Sequence, residues 1–351
     1  MGFLTEAEEG SLRITQMILH VVGGEGEFQP ERAQAVEHED FFIGRIRDTD
    51  AASVYSFKPE SATKARLEGV ARGEEQFQPA AQALAREFSR VHVGTSIEGA
   101  FFIFELQTDV PHVRLYSFIK YDYHEAIERS QGDHGSLLRR IVHAFITDRR
   151  AIQKSAIIRV VNGVAELAIS ARDRARIAPD ISDYYATFLD AIRSRTNQEL
   201  NQRTVDVLRE TLTACQDHLP NRDVARALRH AKGLLRDRQQ VTEAAITEAV
   251  LAAADNPDDE NVRSELERQT TRRIRNARLA GLAFRPDRGI LRKPPMRQLK
   301  TTEGVTVIFP DEADGTTVRR MPQPGGGETI TIYTDEITED RVVRDGPRRI
   351  T

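Results

Sequence analysis

Apolar residues fall into two rhythms along this chain, and the change comes near Pro179-Asp180. Before that point the runs are short, aromatic and β-branched. Segments 99–106 (GAFFIFEL) and 112–120 (HVRLYSFIK), joined by a polar turn ending in Pro111, predict a hairpin buried on at least one face. Segments 155–161 and 164–170 flank Asn162-Gly163, the pair that supplies positive φ at both central positions of a type I′ turn, and predict a second hairpin. Residues 14–22 read as a first strand. Residues 60–90 read as helix, with Leu67, Val70, Phe77, Ala80, Leu84 and Phe88 at three- and four-residue steps. Pro79 is expected to separate two helices there.

From 183 to 254 the pattern is helical, with no strand signal. Phe188, Leu189 and Ile192, then Leu200, Val205, Leu208 and Leu212, make an apolar stripe. Pro220-Asn221 interrupts it before helices at 223–237 and 242–254. After a loop at 256–259 another helix starts near Glu260. Short strands follow at 305–309 and 329–333, and 340–351 reads as a frayed tail. These elements predict an α+β fold built from antiparallel hairpins and helices. Its expected parts are an N-terminal α/β unit (1–178), a central helical segment (179–256), a piece carrying the last helix and the short strands (257–340), and a tail (341–351).

Composition bounds the partners. The 351 residues carry a formal net charge of −4, so a uniformly basic coat for nucleic acid is excluded and any such binding must come from patches. A single cysteine, Cys215, excludes a disulfide framework or a zinc knuckle within one chain. No cationic segment leads into an apolar one at the start, and no apolar run is long enough to span a bilayer, so a cytoplasmic protein is expected. Seven lysines stand against 43 arginines, which takes mechanistic weight from the choice of Arg over Lys and leaves it on placement.

Placement is uneven. Residues 263–300 hold twelve Lys/Arg against three acids. With Val262 set at zero and about 100° per residue, Leu266, Ile274 and Ala277 fall between about 40° and 120°, while Arg268, Arg272 and Arg275 fall between about 220° and 280°. The helix should therefore dock by one face and show arginines on the other, with no compensating acid there. Arg278, Arg292, Lys293, Arg297 and Lys300 extend the basic run beyond it. A second basic region, 139–176, has nine Lys/Arg against three acids, with Arg149, Arg150, Arg172 and Arg174 flanking the Asn-Gly hairpin. These twelve residues are the candidate phosphate contacts, because a local positive field on an acidic protein is how a phosphate backbone is gripped. The acidic stretches 1–40 and 311–340 could instead mask the patch, which would make it a dock for an acidic partner or segment.

Catalytic constellations are scarce. No phosphate loop of the Gly-x-x-x-x-Gly-Lys-Ser/Thr type and no Gly-x-Ser-x-Gly elbow is present, and Gly23-Gly24-Glu25-Gly26 is acidic. No lysine has an acid two residues before it, against the arrangement of many metal-dependent nucleases. His38-Glu39-Asp40 reads as a solvated acidic surface. Tyr121-Asp122-Tyr123-His124 and Asp133-His134 fall in an expected connecting segment, where turn capping is the expected role. No catalytic residue, metal or cofactor is expected.

In sequence order, Phe42-Ile43-Gly44-Arg45-Ile46, Tyr55-Ser56-Phe57, Gly99-Ala100-Phe101-Phe102-Ile103-Phe104 and Ile152-Gln153-Lys154-Ser155-Ala156 precede Ile181-Ser182-Asp183-Tyr184-Tyr185-Ala186-Thr187-Phe188-Leu189. The last of these is similar to a Tyr-Phe-x-x-Phe-Leu signature with Tyr185 in place of Phe. With the strands at 304–309 and 328–333, this order resembles the bacterial nucleoid-associated protein family of NdpA (YejK) over roughly residues 12–335. The resemblance implies a non-enzymatic, sequence-independent DNA-associating protein of the nucleoid, homodimeric, and it carries over no binding residues. The acidic N-terminus and the Arg-rich helix depart from the better-known members. They leave open general nucleoid organisation or a narrower phage-defence or mobile-element role.

Overall fold

The computed structural model describes residues 2–23, 28–91, 99–122, 124–132, 135–144 and 149–341, with 124–144 and residue 149 described by backbone alone. The fold is α+β. One antiparallel sheet of seven strands runs in the order β1 (Arg13–Val22), β3 (Gly99–Gln107), β4 (Val113–Asp122), β7 (Ile152–Val161), β8 (Val164–Asp173), β2 (Tyr55–Phe57), β9 (Ala191–Arg193). Both expected hairpins form: β3 pairs with β4, and β7 with β8 through Asn162 (φ 52°) and Gly163 (φ 76°).

The aromatic run of β3 is buried at every position but its last, because both faces of the sheet are covered. Side chains alternate across a strand. Phe101 and Ile103 on β3, with Tyr116 and Phe118 on β4, therefore enter one core, and Phe102, Phe104, Leu115 and Ile119 enter the other. The second core is closed by Leu4 and Leu12, which flank α1 (Glu6–Gly10), and by Ile43 and Ile46 of α2 (Glu39–Thr49). On the first face lie α3 (Ala62–Arg72), α4 (Phe77–Val91) and α5 (Asp183–Leu189). Phe88 of α4 stacks on Phe101 at 4.2 Å and meets Phe188 of α5 edge-on at 5.0 Å. Burying each such ring contributes roughly 1.5–3 kcal/mol.

The same core continues without a break into the helices α6 (Asn197–Ala214), α7 (Val224–Arg236), α8 (Glu243–Ala253) and α9 (Glu260–Asn276), through Leu208, Leu212, Leu235, Val250, Leu266 and Ile274. A short pair, β10 (Val241–Thr242) with β11 (Ala283–Phe284), and α10 (Arg288–Arg292) complete this half. Two further hairpins follow, β12 (Met296–Lys300) with β13 (Thr306–Pro310) and β14 (Val318–Pro322) with β15 (Glu328–Ile332).

Several expectations change. The break between α3 and α4 is at Gly73 (φ 75°), which caps α3, while Pro79 sits in the first turn of α4, where a missing N–H costs nothing. The stretch expected to be all helix contributes β9, whose three residues are too few for a period to register. Residues 121–134 are not a simple connection: β4 runs to Asp122, and β5 (His124–Gly132) pairs with β6 (Gly135–Ala144). Three elements also cross the expected part boundaries. α5 and β9 join the N-terminal sheet and its core, and α9 packs on α6 and α8 rather than on the C-terminal hairpins. Gly24 to Gly26 and most of the tail lie outside the described residues.

One buried group gives the fold a pH dependence. His20 on β1 is fully buried, stacks on Phe28 at 5.2 Å, and has no hydrogen-bond partner on either ring nitrogen among the described residues. Burial, and then the charge of Arg86, push it down to about 4 from 6.5. The unfolded chain therefore binds the proton more readily, and stability present above pH 6.5 is lost as pH falls toward 4. At 1.36 kcal/mol per unit the contribution is at most about 3 kcal/mol. Between pH 7 and pH 4.5, His20→Phe should lose at least about 1 kcal/mol less than the native chain in urea unfolding. Parallel losses would remove His20 as the cause.

Candidate nucleic-acid interface

α9 begins at Asp259, whose side chain accepts from the Asn261 N–H, and docks through Leu266, Thr270 and Ile274, all fully buried. Arg268, Arg272 and Arg275 are exposed on the far side, as the helical angle requires, and Arg278 is exposed in the turn just past the helix. The expectation that this face lacks acids needs correction. Glu265 pairs with Arg268 one turn away at 2.5 Å, and Glu6 of α1 reaches Arg275 at 3.0 Å. Both pairs are open to solvent, where such contacts are worth about 0–1 kcal/mol. Arg272 and Arg278 make no ion pair among the described residues.

The end of α9 gathers two arginines that the sequence reading did not single out. Arg195 donates to the Arg278 carbonyl at 3.0 Å, and Arg203 donates to the Ala277 carbonyl at 3.2 Å. Cations belong at a helix C-terminus, which carries about half a negative charge. Here the guanidinium groups of Arg195 and Arg203 meet the carbonyls at that end, and the charge of Arg278 is close enough to act on Arg195. Burial, then the charges of Arg203 and Arg278, push the Arg195 guanidinium below its ordinary range, and Glu199 opposes this weakly. The Glu199 carboxylate is committed to the cap of α6, accepting from the Thr196 N–H at 2.7 Å and the Thr196 hydroxyl at 3.0 Å. Arg195 and Arg203 lie more than seventy residues from Arg278, so no local spacing could have linked them.

After Arg278 (φ 54°) the chain turns at Gly281 (φ 69°). A Cβ at Gly281 would sit 2.7 Å from the Asp50 carbonyl and 3.2 Å from Arg172, so this turn requires glycine on both conformational and steric grounds. Here the two basic regions meet. Arg172 donates to the Gly281 carbonyl at 2.6 Å and to those of Asp50 and Asp48 at 3.1 and 3.3 Å, and the Ala52 N–H donates to the Ala280 carbonyl. Arg172 is thus a brace between sheet and helices, and its place among outward phosphate contacts is corrected accordingly. Arg150, Arg172, Arg174 and Arg176 line a cleft of about 560 Å³ that Gly281, Leu282 and Ala283 close on one side. Arg174 pairs with Asp122 at 2.7 Å and is exposed. Arg149 opens a single 3-10 turn, and its side chain lies outside the described residues, as do Tyr123, Asp133 and His134.

Beyond α10 the candidates divide. Arg292 and Lys293 are exposed; Lys293 makes no ion pair among the described residues, and its carbonyl accepts from the buried Lys232 ammonium at 2.5 Å. Lys300 is exposed at the end of β12, opposite Thr306. Arg297 is different: it pairs with Asp311, with Asp223 at 3.1 Å and with Asp314 at 3.4 Å, while Arg229 also pairs with Asp311 and Arg320 with Asp314. It holds the β12–β13 hairpin to the start of α7, and its role as a phosphate contact is corrected to a structural one. Arg297→Ala should lower stability by roughly 1–3 kcal/mol, the range for hydrogen bonds to a charged partner. It should leave the salt dependence of duplex binding unchanged, as read by fluorescence anisotropy.

Among the described residues no group of three His, Cys, Asp or Glu side chains is placed to hold a metal ion, and no helix is long and apolar enough to cross a membrane. Glu39 instead accepts from the Ile14 N–H at 2.7 Å. No family model matches this chain, and a comparison with curated proteins finds no match.

Proposed function

We propose that this protein binds duplex DNA through its phosphate backbone, without reading sequence and without catalysis. The observation that carries the reading is the crowding of Arg195, Arg203 and Arg278 at the end of α9, where the neighbouring Glu199 carboxylate is already engaged by the cap of α6. Like charges held together by the fold are relieved by an anion, and each phosphate that replaces solvent there releases condensed counterions. Arg272 lies one and a half turns back on the same helix, and the weak surface pairs of Arg268 and Arg275 can exchange their carboxylates for phosphates. Arg292, Lys293 and Lys300 would extend contact along the C-terminal half, and Arg150 and Arg174 past the Gly281 turn. Arg172 and Arg297 act by holding the surfaces in place. The resemblance to nucleoid-associated proteins points the same way, and with it come a homodimer and a place on the nucleoid.

The test is competition between two unrelated duplexes of roughly 30 bp for the full-length chain. Equal competition within about threefold supports backbone recognition, and a preference beyond about a hundredfold overturns it. A second reading, docking of an acidic protein segment, draws on the chain's own use of Glu6, Asp311 and Asp314 against Arg275 and Arg297. Failure to bind either duplex at low salt would favour it.

A further inference from the structure

The cleft beside the Gly281 turn has a character that backbone binding does not need. At about 560 Å³ it falls within the roughly 300–1,000 Å³ of small-molecule sites. Its walls are largely apolar, with Ile152, Ala171, Ile177, Pro179 and Leu282, yet four arginines border it. Ile177 is 50% exposed, although it sits in a loop one residue from Arg176. Three carboxylates also line the cleft, and each is paired with a cation outside the lining: Asp48 with Arg45 at 2.8 Å, Asp173 with Lys154 at 2.5 Å, and Asp180 with Arg193. Their charge is met from behind, and although Asp122 meets Arg174 in the same way at 2.7 Å, the cations in and around the cleft outnumber the acids, so its field is positive. A divalent cation is therefore disfavoured there. An inorganic anion would gain nothing from the apolar wall, and a neutral apolar ligand would gain nothing from the arginines.

The ligand must join a flat or apolar body to a phosphate-like charge and offer polar edges to the Gln153 and Gln240 amides, which also line the site. Guanidinium planes stack on nucleobases as well as clasping phosphate. We propose that this cleft binds one nucleoside 5′-monophosphate, with its base against Ile177 and Pro179 and its phosphate toward Arg174 and Arg176. The ligand is either a free nucleotide or the 5′-phosphorylated end of a strand. This inference shares Arg174 with the proposed duplex surface but does not rest on the α9 arginines.

Isothermal titration of the full-length chain tests it with adenosine 5′-monophosphate as the probe. The expected dissociation constant lies between about 10 μM and 1 mM. Adenosine alone and inorganic phosphate alone should each bind at least about tenfold more weakly. Ile177→Asp and Arg176→Glu both alter exposed loop positions and should each weaken the nucleotide at least about tenfold with circular dichroism unchanged. Ile177→Asp should leave duplex affinity as it was. Comparing 5′-phosphorylated with unphosphorylated hexathymidylate identifies the source: a phosphorylated strand binding more than about tenfold tighter than the free nucleotide means a strand end, and the reverse means a free nucleotide. Nucleotide binding no tighter than that of adenosine or phosphate, or insensitive to both substitutions, overturns the proposal. Duplex binding that survives this outcome would leave the α9 reading intact, and nucleotide binding without duplex binding would do the opposite.

Discussion

Replacing Arg272, Arg275 and Arg278 together by alanine should make the log–log salt slope of duplex binding shallower by about 2.7 units, at about 0.9 per phosphate contact. The loss of affinity near 0.1 M salt should be on the order of a hundredfold, and it should be equal on unrelated duplexes. All three side chains are exposed, Arg272 and Arg275 on the face of α9 opposite Leu266 and Ile274 and Arg278 in the turn just past its end, so the fold should survive and circular dichroism should be unchanged. A slope that stays put would remove this helix from the interface. Weakening on one duplex alone would mean base contacts, which nothing in the side-chain arrangement suggests.

The second large effect concerns stability. Lys154 on β7 and Asp173 on β8 form a fully buried ion pair, with side chains 2% and 0% exposed. The Ser182 hydroxyl and N–H also donate to the same carboxylate, at 2.6 and 2.9 Å, and the Lys154 ammonium lies 4.5 Å from the Tyr184 ring. Burial works against the Asp173 charge, but the hydrogen bonds from Lys154 and Ser182 outweigh it and hold the carboxyl below its ordinary range. Lys154→Ala leaves that carboxylate buried without its counter-charge, a change that costs about 3–5 kcal/mol. The melting temperature should fall by on the order of 10 °C. Adding Asp173→Asn to Lys154→Met should recover more than half of the single-variant loss, because the uncompensated charge is then gone. Strictly additive losses in thermal unfolding would contradict the coupling.

How much of this was legible in advance follows from the range of each signal. The Asn162-Gly163 hairpin and the start of α9 near Glu260 declare themselves locally, through turn chemistry and a helical period, and both lie where the sequence put them. The aromatic run of β3 announced burial, but only the assembled sheet places Phe101 and Phe102 in separate cores. β9, β12 and β14 are strands of three and five residues whose identity comes from their partners rather than from any period of their own. The α9 arginines were readable because one helix carries them. Arg195 and Arg203 were not, because they reach the end of α9 from the loop after the edge strand β9 and from α6. Arg297 shows the converse failure. Its local surroundings are basic, while the acids that engage it come from α7 and from beyond β13. Charge counting along the chain ignores partners that folding brings from far away, and Arg172 was misread for the same reason.

The central claim is that a phosphate backbone is held by arginines converging at the end of α9. Fluorescence anisotropy of the full-length chain on one duplex, across salt from about 50 to 200 mM, tests it most directly. A linear fall of log affinity with log salt, with slope about −0.9 for each phosphate engaged and a total steeper than about −3, is the expected result. A slope near zero, or no binding at the lowest salt, would contradict it.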